Sequence, residues 1–92
     1  MTLSVAERSS LIQGIQAELS LGQIGLGDAV KRLRQEVTGL RQDQFARMCK
    51  ISVRTLAHIE SGEGNQTLKS LNAVFNPFGL EMGVVAVNKT LA

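Results

Sequence analysis

Two short helical segments separated by only three residues constrain the fold of this chain more than any other feature. Apolar residues recur at helical spacing over about 41–49 and again over about 53–61, with Lys50, Ile51 and Ser52 between them. Two short helices joined by such a turn must cross closely, which requires a small residue near the crossing and apolar residues that set the angle. The residues suited to these positions are Ala46 in the first helix, Ile51 in the turn, and Leu56 and Ile59 beneath the second helix.

Three further helices are predicted around this pair. A capping box and one apolar face indicate a helix over about 4–20, and a single apolar stripe indicates another over 26–38. After the loop at 61–65, an amphipathic segment predicts a last helix that begins near Leu68 and stops near Pro77. Between the first two helices, a hinge is expected at three glycines, Gly22, Gly25 and Gly27.

Residues 80–87 are rich in valine and apolar on both faces, which predicts a strand that is shielded from water. No other segment has a convincing strand pattern, so the expected partner is the same strand of a second copy, paired antiparallel across a two-fold axis. The residues assigned to this dimer strand are Leu80, Met82, Val84 and Ala86. The alternative is an extended tail that packs on the helices of its own chain.

These elements together predict a mainly α fold of four to five helices, with a C-terminal β-strand that pairs across a dimer. Positive charge is concentrated in the middle of the chain, since residues 31–69 hold eight lysines and arginines against four aspartates and glutamates, a net charge of +4. Both flanks are neutral or acidic. This distribution favours nucleic acid as a partner more than the whole-chain charge of +2 does.

Several classes of function are excluded by what the sequence lacks. It has no nucleophile with a base, no paired carboxylates and no metal-ligand set in register, and its glycines lack the Lys-Ser/Thr of a nucleotide loop. The single cysteine, Cys49, excludes an internal disulfide and a cysteine-based zinc site, and we expect it to be a buried structural thiol. The lack of catalytic and ligand patterns predicts a protein that is not an enzyme and needs no cofactor or metal. The lack of an apolar stretch long enough for a membrane span, with Glu7 and Glu18 where a signal peptide would be basic and then apolar, predicts a cytoplasmic protein.

Residues 40–62, LRQDQFARMCKISVRTLAHIESG, resemble the helix-turn-helix of the Cro/phage-repressor (Xre-like) family and align with it without a gap. The flanking runs LGDAVKRLRQ and NQTLKSLNAVFNPFGLEMGVV are similar to the first helix, the last helix and the C-terminal strand of HipB-like antitoxins. The chain departs from the family pattern at two places. Lys50 occupies a turn position where the family usually has glycine, and one extra residue within 35–39 is expected to lengthen a loop.

The resemblance implies that a homodimer binds a palindromic operator in double-stranded DNA, with the helix from Val53 in the major groove. The residues assigned to base contacts are Val53, Arg54, Ala57 and His58, and those assigned to DNA phosphates are Gln42, Ser52, Asn65 and Thr67. The alternatives are a plain helix cap for Gln42 and Ser52, a solvated side chain for Arg54 and a bystander role for His58. For Glu60 the resemblance implies an inward salt bridge with Arg34.

These assignments divide the chain into an N-terminal helical extension (1–25), a helix-turn-helix DNA-binding domain (26–79) and a C-terminal dimerisation strand with its tail (80–92). They predict a sequence-specific transcriptional regulator, a repressor or autoregulator. HipB-like proteins also bind a toxin kinase, so the resemblance implies a HipA-like kinase toxin as a partner. The alternative function is a protein-binding antitoxin or adaptor that neutralises its partner, with DNA binding secondary or lost. The N-terminal helix is then the expected surface for a partner or for the dimer, and otherwise an added core helix.

Overall fold

The computed structural model describes residues 3–86 and shows an all-α fold of five helices. Their bounds are α1 Val5–Ser20, α2 Leu26–Arg32, α3 Gln42–Cys49, α4 Val53–Ser61 and α5 Leu68–Phe75. A π-helical segment, Leu33–Thr38, continues α2, and a 3-10 turn, Asn76–Phe78, follows α5. The predicted helices are confirmed, and so is the capping box of α1, in which the Ser4 N–H donates to Glu7 Oε1 (2.8 Å) and the Glu7 N–H donates to Ser4 Oγ (3.1 Å).

One apolar core receives side chains from all five helices. Leu33, Phe45 and Leu56 are completely buried in it, and the ring of Phe45 stacks on that of Phe78 with a centroid separation of 6.0 Å. Cys49 is buried there as predicted, and desolvation raises the pKa of its thiol to about 11. A thiol with so high a pKa stays protonated at neutral pH, so Cys49 acts as a small apolar core group.

The first helix is held against this core. Ile15 is 1% exposed, and it is the centre of the apolar face that the sequence predicts. Three more apolar residues of this helix pack against the core, namely Leu11, Ile12 and Leu19. The guanidinium of Arg32 on α2 adds a polar bridge, with Nη1 2.9 Å from Glu18 of α1 and Nε 3.0 Å from Glu36. The structure therefore supports the interpretation of α1 as an added core helix.

Gly27 marks the place where α2 packs on the end of α4. It lies in the first turn of α2, so the prediction that it belongs to a hinge is wrong. A Cβ atom added to Gly27 would lie 2.6 Å from the carbonyl oxygen of Ile59 and 2.8 Å from that of Glu60. Because glycine alone lacks a Cβ, it allows the two backbones to approach this closely. The contact places α2 directly over the C-terminal end of α4.

The region where the resemblance places one extra residue, 35–39, lies largely in the π-helical segment Leu33–Thr38, so the expectation that this residue lengthens a loop is wrong. The Gly39 N–H donates to the Arg34 carbonyl five residues back (2.8 Å), and the Thr38 hydroxyl donates to the same carbonyl. Gly39 then ends the helix in a left-handed conformation with a φ of 68°. A widened turn accommodates an inserted residue while its backbone groups stay hydrogen-bonded, which a longer loop would not achieve.

The C-terminal segment differs most from its prediction, because residues 80–86 form no strand and Val87, the end of the predicted strand, lies outside the described residues. Of the residues assigned to the dimer strand, two pack against the core, Leu80 and Met82, and two are exposed, Val84 and Ala86. The Met82 N–H donates to Asn72 Oδ1 of α5 (2.7 Å). The start of the segment thus matches the alternative of a tail packed on its own helices. A single copy offers no second strand in residues 3–86 with which this segment could pair.

Candidate nucleic-acid interface

The turn between α3 and α4 brings these two helices together in the way the sequence predicts. Ala46 is buried, and its carbonyl accepts a hydrogen bond from the Ile51 N–H (3.0 Å). Ile51 in turn packs against the core. The chain reverses at Lys50, which has a φ of 61° and is the one non-glycine residue of positive φ in the described part of the chain. A left-handed residue at this point gives α4 a fixed direction relative to α3.

The fourth helix has one face in the core and the opposite face in solvent. Leu56 is 0% exposed and Ile59 is 2% exposed, which confirms that both anchor the helix from beneath. We call the face turned away from them the outward strip, defined as Val53, Arg54, Ala57 and His58. The first two of these are exposed and the last two half-buried. The outward strip therefore brings together, on one helical face, all four residues that the resemblance assigns to base contacts.

Two of the residues assigned to phosphates cap helices. Ser52 Oγ accepts from the Thr55 N–H at the start of α4 (3.0 Å), and Thr67 Oγ1 accepts from the Ser70 N–H at the start of α5 (3.0 Å). Such a cap satisfies one of the free N–H groups of a helix N-terminus, and the positive end of the helix dipole remains. The capping role that was the alternative for Ser52 is thus confirmed, and it does not exclude a phosphate nearby. Asn65 is exposed in the loop past the other end of α4.

Gln42, another of the residues assigned to phosphates, has a contact that the sequence does not predict. Its side-chain Nε2 donates to Glu60 Oε1 (3.0 Å), so the first residue of α3 is tied to the last turn of α4. An amide NH2 group has two N–H donors, and the second is left for a further acceptor such as a phosphate oxygen. No sequence signal reveals this contact, because it joins residues from two helices through a carboxylate that α2 also holds.

The salt bridge between Arg34 and Glu60 is present as the resemblance implies. Arg34 donates from Nε to Glu60 Oε2 (2.6 Å) and from Nη2 to Glu60 Oε1 (2.8 Å), and the two side chains are 9% and 5% exposed. Burial alone would raise the pKa of Glu60, but the hydrogen bonds from Arg34 and Gln42, together with the charges of Arg34 and Lys31, outweigh it and hold this pKa below its ordinary value. Together with Gln42, the pair connects the π-helical segment that follows α2 with α3 and α4.

Exposed cations surround the helix pair. Arg47 and Lys50 are exposed near the end of α3, and Arg54 is exposed at the start of α4. Arg41 is also exposed, but its guanidinium pairs with Asp43 over 3.2 Å. A surface of this kind attracts the phosphate backbone of DNA through charge alone, independently of sequence. Within residues 3–86 no helix is long and apolar enough to cross a membrane, and no group of three potential metal ligands is present.

A comparison with protein families matches residues 30–85 to a helix-turn-helix family. The chain belongs to the Xre/Cro-like helix-turn-helix family. This family match confirms a DNA-binding domain, and because the family is typically non-enzymatic it also confirms the prediction that the protein is not an enzyme. The matched range includes the whole helix-turn-helix, α3 to α4, and leaves α1 outside. No curated protein matches the chain, and no solved structure does.

Replacing Lys50 with glycine is expected to raise the free energy of unfolding by about 1 kcal/mol, because a residue with a Cβ is strained in a left-handed conformation. Urea denaturation measures the change. Lys50→Ala is the matched control, since it removes the same side chain and keeps the Cβ. Equal stability of the two variants would show that the left-handed turn of this helix-turn-helix stores no strain.

Proposed function

We propose that the protein is a sequence-specific transcriptional regulator, a repressor or autoregulator, that binds a palindromic operator as a homodimer with α4 in the major groove. The observation that carries this proposal is the outward strip. It lies on a helix whose other face is anchored by Leu56 and Ile59 and whose last turn is held by the buried Arg34–Glu60 pair. A rigid helix with an uncovered polar and apolar face is what direct readout of base edges requires.

The outward strip has chemical groups suited to the edges of guanine and thymine. Arg54 can donate two hydrogen bonds to the O6 and N7 atoms of guanine, which is worth about 1–3 kcal/mol of discrimination. Val53 is 45% exposed and Ala57 is small, so both suit contact with a thymine methyl group. His58 is half-buried beside them and can bond to a base or a phosphate. The proposed interface therefore reads sequence through one cation, one imidazole and two apolar contacts.

The proposed phosphate contacts flank this surface. Gln42 and Ser52 stand at the starts of α3 and α4, where N–H groups and the positive ends of the helix dipoles favour an anion. Thr67 caps α5, and Asn65 precedes it in the exposed loop. Contacts of this type orient a protein on the duplex without reading its sequence. They also make binding weaken as the salt concentration rises.

The proposed dimer uses the C-terminal segment. Val84 and Val85 are almost fully exposed, and these two valines, which follow the packed Met82 after Gly83, suit a strand that is completed by a second chain. An isologous contact across a two-fold axis repeats α4 on the same side of the dimer. The two half-sites are then expected about one helical turn apart, roughly 34–36 Å.

The test of DNA binding is a titration of the protein against duplex DNA from upstream of its own coding sequence, at several salt concentrations. We expect the wild type to prefer this duplex over an unrelated one, with affinity that falls steeply as salt increases. Arg54→Ala is expected to lose about 1–3 kcal/mol of that preference, because its bidentate contact is gone. Arg8→Ala, at an exposed position of α1, removes the same charge and is expected to keep the preference. A wild type with no preference and no salt dependence contradicts the proposal.

A second candidate function is that of an antitoxin or adaptor that neutralises a protein partner such as a HipA-like kinase. The observation in its favour is a mainly apolar groove of about 560 Å³ between α1 and the segment that follows α5. It is lined by Val5, Ile12, Phe78 and Leu80 among others. One wall of this groove, α1, lies outside the family match. Co-purification with the product of the neighbouring gene tests it, and Arg54→Ala is expected to keep such a complex intact. If the protein forms no complex with the product of the neighbouring gene, this second candidate is contradicted.

A further inference from the structure

One face of α2 lies along the end of the DNA-facing helix. Gly27 and Lys31 of α2 are four residues apart and share this face, and Arg34, in the π-helical segment that continues α2, follows three residues later and also contacts the end of α4. Gly27 approaches the carbonyl oxygens of Ile59 and Glu60, and Arg34 pairs with the Glu60 side chain. Lys31 stands between these two fixed contacts. Its place beside the last turns of α4 is therefore set by packing on both sides of it.

Lys31 also borders a shallow depression of about 300 Å³ that opens next to the outward strip. The depression is lined by Lys31, Arg34, Gln42, Ala57, Glu60 and Ser61. Ala57 belongs to the outward strip, and Ser61 lies one helical turn beyond it. The Lys31 side chain is exposed, whereas Arg34 is buried below it. Lys31 thus stands exposed at the rim of this depression, on the side of the molecule where Ala57 of the outward strip lies.

The charges at this place leave an excess of one positive charge. Arg34 and Lys31 supply two cations against the single carboxylate of Glu60, which Arg34 already holds in a bidentate pair. Lys31 forms no ion pair with a carboxylate of residues 3–86. Its charge is close enough to help lower the pKa of Glu60, yet it is not neutralised by a direct contact. An anion brought to this rim would meet an ammonium group that is not already paired.

The dimensions of DNA bring a phosphate to such a place when α4 enters the major groove. An α-helix with its side chains is about 10–12 Å across and the groove is about 12 Å wide, so the helix fills it. Groups that flank the helix then face the sugar-phosphate backbones on either side. Lys31 flanks α4 from α2, on a four-carbon stem that can extend toward a phosphate oxygen.

We propose that Lys31, from outside the helix-turn-helix pair, contacts a DNA phosphate and sets the affinity of the interface without affecting its sequence preference. The inference rests on the proposed function and extends the interface to a third helix. It means that α2 contributes to DNA binding as well as to the apolar core. The chemistry is that of a point charge on a phosphate, which any duplex offers.

Lys31→Gln tests the inference, with Arg8→Gln on α1 as the control that removes the same charge elsewhere. Binding of a labelled duplex from upstream of the gene, and of an unrelated duplex, is measured by fluorescence anisotropy at several salt concentrations. Loss of one phosphate contact is expected to reduce the salt slope by about 1 and to weaken binding about eightfold at 0.1 M salt, equally for both duplexes. Arg8→Gln is expected to keep the wild-type slope. Thermal unfolding of each variant confirms that it is folded.

The outcomes separate this inference from the function on which it rests. If the wild type binds and Lys31→Gln keeps its salt slope, the inference is overturned and the proposed function stands. If Lys31→Gln changes the preference between the two duplexes, Lys31 reads a base and the phosphate assignment is overturned. If the wild type binds neither duplex, the proposed function fails and the inference fails with it.

Discussion

Replacement of Glu60 with alanine is expected to lower the free energy of unfolding by about 3–5 kcal/mol, because it leaves the charge of Arg34 buried without a counter-ion. The two side chains are 9% and 5% exposed, so most of the guanidinium would stay shielded from water after the carboxylate is removed. Gln42 loses its acceptor at the same time. Urea denaturation at neutral pH measures the loss. Glu81→Ala, at an exposed carboxylate, is the control and is expected to change stability by about 0.5 kcal/mol or less.

The same ion pair predicts how stability depends on pH. The pKa of Glu60 is lower in the folded chain than the value of about 4.3 expected when it is unfolded. The stabilisation that ionised Glu60 gives the folded state is therefore complete above its unfolded pKa. It is lost as the pH falls through the lower pKa of the folded chain. In Glu60→Gln this part of the acid-induced loss is expected to disappear. Identical pH profiles of the urea midpoint for the wild type and Glu60→Gln would contradict the assignment.

Replacement of Gly27 with alanine is expected to lower the free energy of unfolding by about 3 kcal/mol, the upper end of the usual cost of overpacking. The added Cβ would meet the carbonyl oxygens of Ile59 and Glu60 at 2.6 and 2.8 Å. These are backbone atoms, which cannot rotate away as the end of a side chain can. Relief requires α2 to move off α4, so DNA affinity is expected to fall along with stability.

The matched control is Gly14→Ala, which is the same substitution in the middle of α1. A Cβ at Gly14 meets nothing within 4 Å, so only the helix propensity changes. We expect this variant to gain about 0.5–1 kcal/mol. Opposite signs for the two variants would separate the steric contact from the general effect of glycine in a helix. A Gly27→Ala variant as stable as the wild type would show that α2 and α4 do not pack as described.

The parts of the fold that depend on local patterns could be predicted from the sequence. α4 begins and ends at the predicted residues, because its apolar anchors Leu56 and Ile59 and its cap at Ser52 are all nearby in the chain. The family resemblance implied the salt bridge from Arg34 to Glu60, although the two residues are far apart in sequence. The helical spacing of Leu56 and Ile59 also predicted which side of α4 the outward strip occupies.

What could not be predicted depends on contacts between distant segments. The close approach at Gly27 is visible only when α2 lies on α4, and a glycine between two helices otherwise indicates flexibility. Likewise, the bond from Gln42 to Glu60 and the placement of Lys31 require three helices to meet. The inserted residue within 35–39 shows a further limit, since a sequence does not reveal whether an insertion enters a loop or a helical turn. The pairing of the C-terminal segment remains a prediction that only a second copy can satisfy.

The division of α4 into two faces has a consequence for engineering. Val53 and Arg54 contribute little to the core, whereas Leu56 and Ile59 are almost wholly enclosed by it. Under the proposed function, exchanging the solvent-side positions is therefore expected to change operator preference with little loss of thermal tolerance. A library randomised at those sites alone would sample new targets on a constant scaffold.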